Sequence, residues 1–277
     1  MVSSESEPVI DVLERTWASI LVATDEVTEP EWDRPSDLPG WTVKDCLSHV
    51  VSVEANFLGE SPEAVDVTHL AHVHTPFQEA VEIGVEGLRP WSGHEVRSRF
   101  ADIVTRRVAQ LRAMSTAEMD APSWSPIGEV PYRQFMEVRV FDCWMHEQDI
   151  RRALGRPGDL SGPAIVTVVD RFRAVLGFVV GKKAAAPDGT RVVIRTTGPV
   201  EVDLAVVVDG RARVVDSAEF AELGEAPTTV ITLPFEAFIA LGGGRWDRSR
   251  AEGAGGVEYA GDGELGRRVL DNFAFTP

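Results

Sequence analysis

The feature that most constrains this chain is a change of hydrophobic period near residue 160. Before it, apolar residues recur three and four apart, as on amphipathic helices. After it come short runs rich in Val, Thr and Ile, separated by Gly, Pro and Asp, which read as strands. The expectation is an α+β protein with two domains. Residues 1–160 predict an antiparallel four-helix bundle, and residues 161–277 a smaller α+β module.

Within the first part, Val9, Leu13, Trp17, Ile20 and Leu21 place a helix over 8–28, followed by a breaker stretch from Pro30 to Gly40. Thr42 with Asp45 three residues on forms a capping-box pattern and starts a helix over 42–58. Residues 61–75 read as irregular and contain His69, His72 and His74. Further helices are expected over 76–88, 93–114 and 132–154, the last ending at Gly155, with a Pro/Ser/Trp loop at 121–131. Beyond Pro163, a helix over 163–181 precedes strands near 191–197, 202–209, 212–216 and 228–233. A helix over 234–241, a short strand at 256–261 and a helix over 262–273 complete the module. Trp41, Trp91, Trp124 and Trp144 are expected to pack in a core or line a cavity.

Charge narrows the range of partners. The chain carries a net −17, of which −14 falls in residues 1–160 and −3 in 161–277. Such acidity repels nucleic-acid phosphates and anionic lipid, so neither is an expected partner. No run of 18 apolar residues suggests a membrane span. Met1–Glu7 lacks a basic stretch followed by an apolar one, and two cysteines make no disulfide framework. A cytoplasmic protein with reduced thiols is expected, monomeric or homodimeric.

The most chemically informative segment is Phe135 to Asp149. Phe135, Val138, Asp142, Met145, His146 and Asp149 share one helical face. Asp142 and His146 are one turn apart, and a carboxylate on a face that otherwise reads as core needs a partner. A divalent metal would be one, and an Asp–His hydrogen bond is the simpler alternative. Zinc accepts imidazole nitrogen and carboxylate oxygen at roughly 2.0–2.2 Å, commonly from three protein ligands in catalytic sites. His49, on the capped helix beside its apolar stripe, is the third candidate. This is not the His-Glu-x-x-His pattern, because Ile150 stands where a second histidine would be needed.

Two stretches resemble a known family. Pro39-Gly40-Trp41-Thr42-Val43-Lys44-Asp45 followed by His49, and Trp144 to Gly155, are similar to the DinB-like proteins and more closely to the actinobacterial mycothiol-dependent maleylpyruvate isomerase family. The resemblance implies that His49, Asp142 and His146 bind a divalent metal, zinc or nickel, with Asp142 standing where the isomerase type has Glu. It extends over Phe238–Leu241, Gly244–Trp246 and Val257–Asp262, which are similar to that family's sterol-carrier-like C-terminal domain. It also implies a C-domain arginine that holds substrate carboxylates, for which Arg245 in Gly242-Gly243-Gly244-Arg245 is the candidate; Arg248 and Arg250 are weaker ones.

The activity so implied is that of a metal-dependent enzyme using mycothiol as thiol co-substrate on a small electrophile. As an isomerase, the thiolate adds to a conjugated double bond, permits rotation and leaves; as an S-transferase it stays attached. The alternative is a non-catalytic metal-containing protein that binds a small molecule or lipid. Hydrolysis by metal-activated water would need a nearby base, and Glu147 points to a different helical face. The loop histidines read as solvated, and Cys46 and Cys143 as small buried residues.

Overall fold

The structure, a computed structural model, describes residues 9–60 and 63–276. The Met1–Glu7 stretch, the start of the expected first helix at residue 8 and residues 61–62 of the irregular segment lie outside them. The chain forms two compact units, one ending at Thr167 and the other beginning at Val168. Among the described residues, no helix is long and apolar enough to cross a membrane.

In the first unit the elements run α1 (Val9–Ala23), α2 (Glu29–Trp32), α3 (Val43–Phe57), α4 (Pro76–Glu86), α5 (Gly93–Ala113), α6 (Thr116–Asp120), β1 (Pro122–Ser125), β2 (Gly128–Pro131), α7 (Tyr132–Leu154) and α8 (Pro163–Phe178). The division between units falls inside α8. The long helices α1, α3, α5 and α7 form the bundle. α1 packs on α7 and α5, and α3 packs on α5 and α7. The α1-to-α3 and α5-to-α7 connections therefore run between diagonal partners. Leu13, Trp17 and Ile20, Leu47 and Val50, Phe100 and Ile103, and Met136, Val140 and Trp144 fill the core from the four helices.

Local chemistry explains the ends of the helices that matter most here. Asp45 Oδ2 accepts from the Thr42 backbone N–H at 2.9 Å, while the Asp45 N–H donates to the Thr42 hydroxyl at 3.3 Å, so two otherwise unpaired donors at the start of α3 are satisfied. α7 stops at Gly155, whose φ of 66° is a left-handed conformation that glycine adopts without a Cβ clash.

Several local readings change. The segment at 121–131 is a hairpin, β1 paired antiparallel with β2. α2 forms inside the proline-rich breaker because Pro30 lies in its first turn, where a missing N–H costs no helical bond. Trp144 is buried, but Trp91 and Trp124 are 40% and 69% exposed and pack in no core.

The second unit continues from α8 through a π-helical turn (Val179–Lys183). Next come β3 (Arg191–Thr197), β4 (Asp203–Asp209), β5 (Arg211–Val215), α9 (Ser217–Glu222), β6 (Thr229–Pro234), α10 (Phe235–Gly242), α11 (Arg248–Ala254), β7 (Glu258–Gly261) and α12 (Gly263–Asp271). The short helices α9 and α11 have no counterpart in the periodicity reading. The sheet order is β5-β4-β3-β6-β7, antiparallel except for the parallel β3–β6 pair. On one face a cluster of Phe172, Phe238 and Phe273 forms the core, with Phe172 and Phe238 ring centroids 4.4 Å apart. On the other, Val193, Ala205, Val207 and Val215 pack with Phe220 of α9.

Of the three glycines before Arg245, Gly242 is helical. It is the buried last residue of α10, and a Cβ there would lie 2.1 Å from the Phe172 ring. Gly244 supplies the turn, with φ of +70°. Gly242→Ala should therefore overpack the aromatic core and cost about 1–3 kcal/mol. Urea denaturation measures this, and a neutral result would mean that Phe172 moves aside without penalty.

Candidate metal centre

α3 and α7 are neighbours in the bundle, and that packing brings His49 to Asp142 and His146. One nitrogen of each histidine and one oxygen of Asp142 all lie within 4.8 Å of one another. His49 Nε2 is 3.2 Å from Asp142 Oδ2, and His146 Nε2 is 3.8 Å from Asp142 Oδ1. The imidazoles meet edge to face, 4.7 Å between centroids. Both are nearly buried, whereas the Asp142 side chain is 30% exposed and gives the cluster an opening to solvent.

The charges around the cluster are fixed by contacts. Burial pushes the Asp142 carboxyl up, but Arg139, then His49 and His146, outweigh it and hold it well below the usual carboxylate range. With part of Asp142 in solvent, the Arg139 contact at 2.6 Å is the cause that decides the direction. His49 goes the other way from an isolated imidazole in water: burial lowers its pKa, outweighing the attraction of Asp142. A neutral imidazole is the form that can donate a lone pair to a metal.

A second set, Cys46, His146 and Asp149, also has its donor atoms within 4.8 Å. It is wholly buried, and Asp149 already accepts from Arg152 at 2.5 Å. Asp149 Oδ2 lies 3.2 Å from His146 Nδ1, close but not aligned for a hydrogen bond. This is the position of a carboxylate that orients a ligating histidine from behind. His49 Nδ1 is buried with no hydrogen-bond partner. Two imidazole nitrogens and a carboxylate oxygen converging on one point, with an orphaned ring nitrogen beside them, fit a divalent ion such as zinc.

Trp41 walls the cluster. Its ring lies 5.4 Å from that of His49 and 5.7 Å from that of His146. Its Nε1 donates to Glu82 Oε2 at 2.8 Å, and buried Glu82 also takes Arg89 at 3.0 Å. His72 Nε2 approaches the same Glu82 oxygen at 3.1 Å, so this loop histidine is not simply solvated. Its ring also packs against Gly40, where a Cβ would come within 2.4 Å. His69 and His74 are exposed, and none of the three loop histidines belongs to either donor set.

Spacing alone missed Arg139, Glu54 and the wall formed by Trp41. Arg139 could have been noticed, since it stands three residues before Asp142 on a helix that is otherwise core. Glu54 could not, because its partners Arg107 and Arg139 are 53 and 85 residues away. Arg245 lies in the second unit, half-buried, with Nη1 donating to the Gly243 carbonyl at 2.6 Å. Arg248 is paired with Glu252 and Asp271, and Arg250 lies over the Trp246 ring.

A family model described as the mycothiol maleylpyruvate isomerase N-terminal domain matches residues 13–151, which include His49, Asp142 and His146. The chain belongs to this family. Two solved structures share the fold: a mycothiol-dependent maleylpyruvate isomerase, 16% identical with a TM-score of 0.57, and a single-residue mutant of that isomerase, 14% identical with the same score. Each alignment covers 94% of this chain and 96% of the other. No curated protein matches. As in the family resemblance read from the sequence, the overall class is α+β, with a helical first part and a sheet-containing second part.

Glu147, next to His146, is engaged elsewhere. Its Oε1 accepts from Ser19 at 2.6 Å and from Arg151 at 2.7 Å, and it belongs to neither donor set. Burial, then the Asp159 charge, pushes its pKa from 4.5 up to about 8. The unfolded carboxyl ionises near 4.5 while the folded one keeps its proton to about 8, so unfolding releases a proton between these values. Stability from this group is complete below that window, declines as pH rises through it and is gone above about 8. Glu147→Gln should remove this component. Thermal denaturation at about pH 5 and about pH 8 should then show a smaller fall in Tm for the variant than for the parent. An unchanged fall would remove Glu147 as its source.

Proposed function

We propose that this chain is a metal-dependent, mycothiol-dependent enzyme, an isomerase or S-transferase acting on a small electrophile. The observation that carries the reading is the convergence of His49, Asp142 and His146, with Asp142 the most exposed of the three. Family membership supports the thiol co-substrate. The donor set of two imidazoles and one carboxylate favours zinc, with nickel the other candidate. His49 and His146 would each give a nitrogen, and Asp142 an oxygen. A bound zinc ion would lower the pKa of a coordinating thiol and so provide thiolate at neutral pH.

The chain's own residues prepare that chemistry. Burial keeps His49 in the neutral, ligating form. Asp149 stands behind His146, 3.2 Å from its Nδ1. Trp41 covers the ligand rings and keeps water from that side. Asp142 stays ionised because Arg139 holds it so. In this reading Arg245 binds a carboxylate of the electrophile, since a guanidinium grips carboxylates through paired donors. A cytoplasmic setting goes with the buried thiols of Cys46 and Cys143, neither of which is in a disulfide.

One observation favours a second reading, a protein that binds an amphipathic small molecule without catalysis. The second unit has a groove of about 800 Å³ between α8 and β5, lined by Phe178 and by Arg173, Lys182, Arg211 and Arg213. An exchangeable coordination position on the metal separates the two, since catalysis needs one and a closed structural site does not have one.

The zinc-loaded protein, given mycothiol and a small conjugated carboxylate electrophile, should consume or isomerise the electrophile only when the thiol is present. No thiol-dependent turnover across such electrophiles would favour the binding reading. Elemental analysis should find about one divalent ion per chain. His49→Ala should lose most of it, Asp142→Ala should weaken it, and the His72→Ala, His74→Ala double variant should keep it; full stoichiometry in His49→Ala would remove His49 from the ligand set. Arg245→Ala should keep the metal and lose roughly 10- to 150-fold in kcat/KM on a carboxylate substrate. Unchanged turnover would give the carboxylate to another group.

A further inference from the structure

Behind the candidate ligand Asp142 lies a chain of buried charges. Glu54 is fully buried and takes two guanidinium groups, Arg107 Nε on Oε2 and Arg139 Nε on Oε1, each at 2.9 Å. One carboxylate facing two guanidinium groups leaves one positive charge over. Arg139 carries that charge to the cluster: its Nη1 donates to Asp142 Oδ2 at 2.6 Å. Its Nη2 rests on Cys143 Sγ at 3.5 Å, and the side chain is only 5% exposed, so it has no solvated alternative. Arg107 is held equally firmly, by Glu54, Gln110 and the Tyr132 hydroxyl. Before any ion arrives, the four groups Glu54, Arg107, Arg139 and Asp142 sum to zero.

We infer that Arg139 is a positioning residue that holds Asp142 by one oxygen and cancels its charge, so that a bound metal ion is gripped through Oδ1 alone and keeps most of its own positive charge. The inference rests on the metal-dependent reading proposed above. Its physical basis is the strength of charge–charge interactions at short range in a poorly solvated site. A guanidinium beside the single anionic ligand opposes a dication, and that opposition outweighs the small entropy saved by fixing one short side chain. The site trades affinity for electrophilicity, which is what activation of a thiol requires. Glu54 sets the strength of the effect, because it draws Arg139 back from Asp142.

The sign of the change in metal affinity tests this. Apparent zinc Kd is measured by chelator competition on the full chain, with metal-free thermal unfolding to confirm that each variant is folded. Arg139→Met should tighten zinc by at least about tenfold, because a repelling charge is gone. Glu54→Gln should loosen it, because Arg139 is then balanced by Asp142 alone. A merely structural role for the buried network predicts weaker zinc in both variants, and that result would overturn the inference while leaving the metal site intact. No zinc binding by the unaltered protein would instead sink the metal-dependent reading and this inference with it. Should either variant not fold, a crystal structure of the zinc-loaded parent protein decides. Asp142 bound through one oxygen, with Oδ2 still on Arg139, supports the inference, and attachment through both oxygens overturns it.

Discussion

A carboxylate inside a helical bundle must be answered by positive charge, and the interface between α3 and α7 is arranged around that requirement. Glu54 on α3 receives Arg139 from α7 and Arg107 from α5, and Arg139 passes the surplus charge to Asp142. Breaking such a buried pair by removing one partner typically costs about 3–5 kcal/mol, because the remaining charge is stranded. The network therefore ties three of the four bundle helices into one register. The same register puts His49 opposite Asp142 and His146. The cluster of His49, Asp142 and His146 is a consequence of how the bundle solves its own electrostatics.

A second set of polar contacts encloses the cluster. Glu82 on α4 collects the Trp41 indole, the Arg89 guanidinium and the His72 ring. These come from the turn before α3, from the segment after α4 and from the irregular stretch after α3. Trp41 lies against the imidazoles of His49 and His146, so irregular segments of the first unit are linked through one carboxylate to the wall of the candidate site. The capping box at Thr42 and Asp45 adds to this by fixing where α3 begins. Asp45 also lies 3.8 Å from Arg89, which brings the cap into the same group of charges.

Some of this was legible in the residues. The Thr42–Asp45 cap, the stop at Gly155 and the strand at 191–197 depend on chemistry within a few residues, and spacing reveals them. Asp142 and His146 were legible as a pair for the same reason, since residues four apart on a helix are neighbours wherever the helix goes. The hairpin at 121–131 was not, because its strands are four residues each and carry Pro, Ser and Gly in place of an alternating apolar pattern. Trp91 and Trp124 were misread because aromatic character says nothing about which side of an element meets solvent. The reason position 242 is glycine was not legible either, because the Phe172 ring that leaves no room for a Cβ lies 70 residues away.

The sequence by itself determined the class of the protein, helices followed by a sheet module, its acidic first part, and one helix carrying a carboxylate and an imidazole on the same face. These follow from periodicity and from side-chain chemistry that act over a single turn or strand. Only the tertiary structure decided which helix faces that pair, that Glu54 holds Arg139 beside Asp142, and that Trp41 lies against the histidines. The physical reason is that helix pairing depends on how whole faces of distant segments fit together. Here the neighbours of α3 are α5 and α7, while the α1-to-α3 and α5-to-α7 connections run across the bundle. Chain order does not encode that choice, and the charge given to Asp142 follows from it.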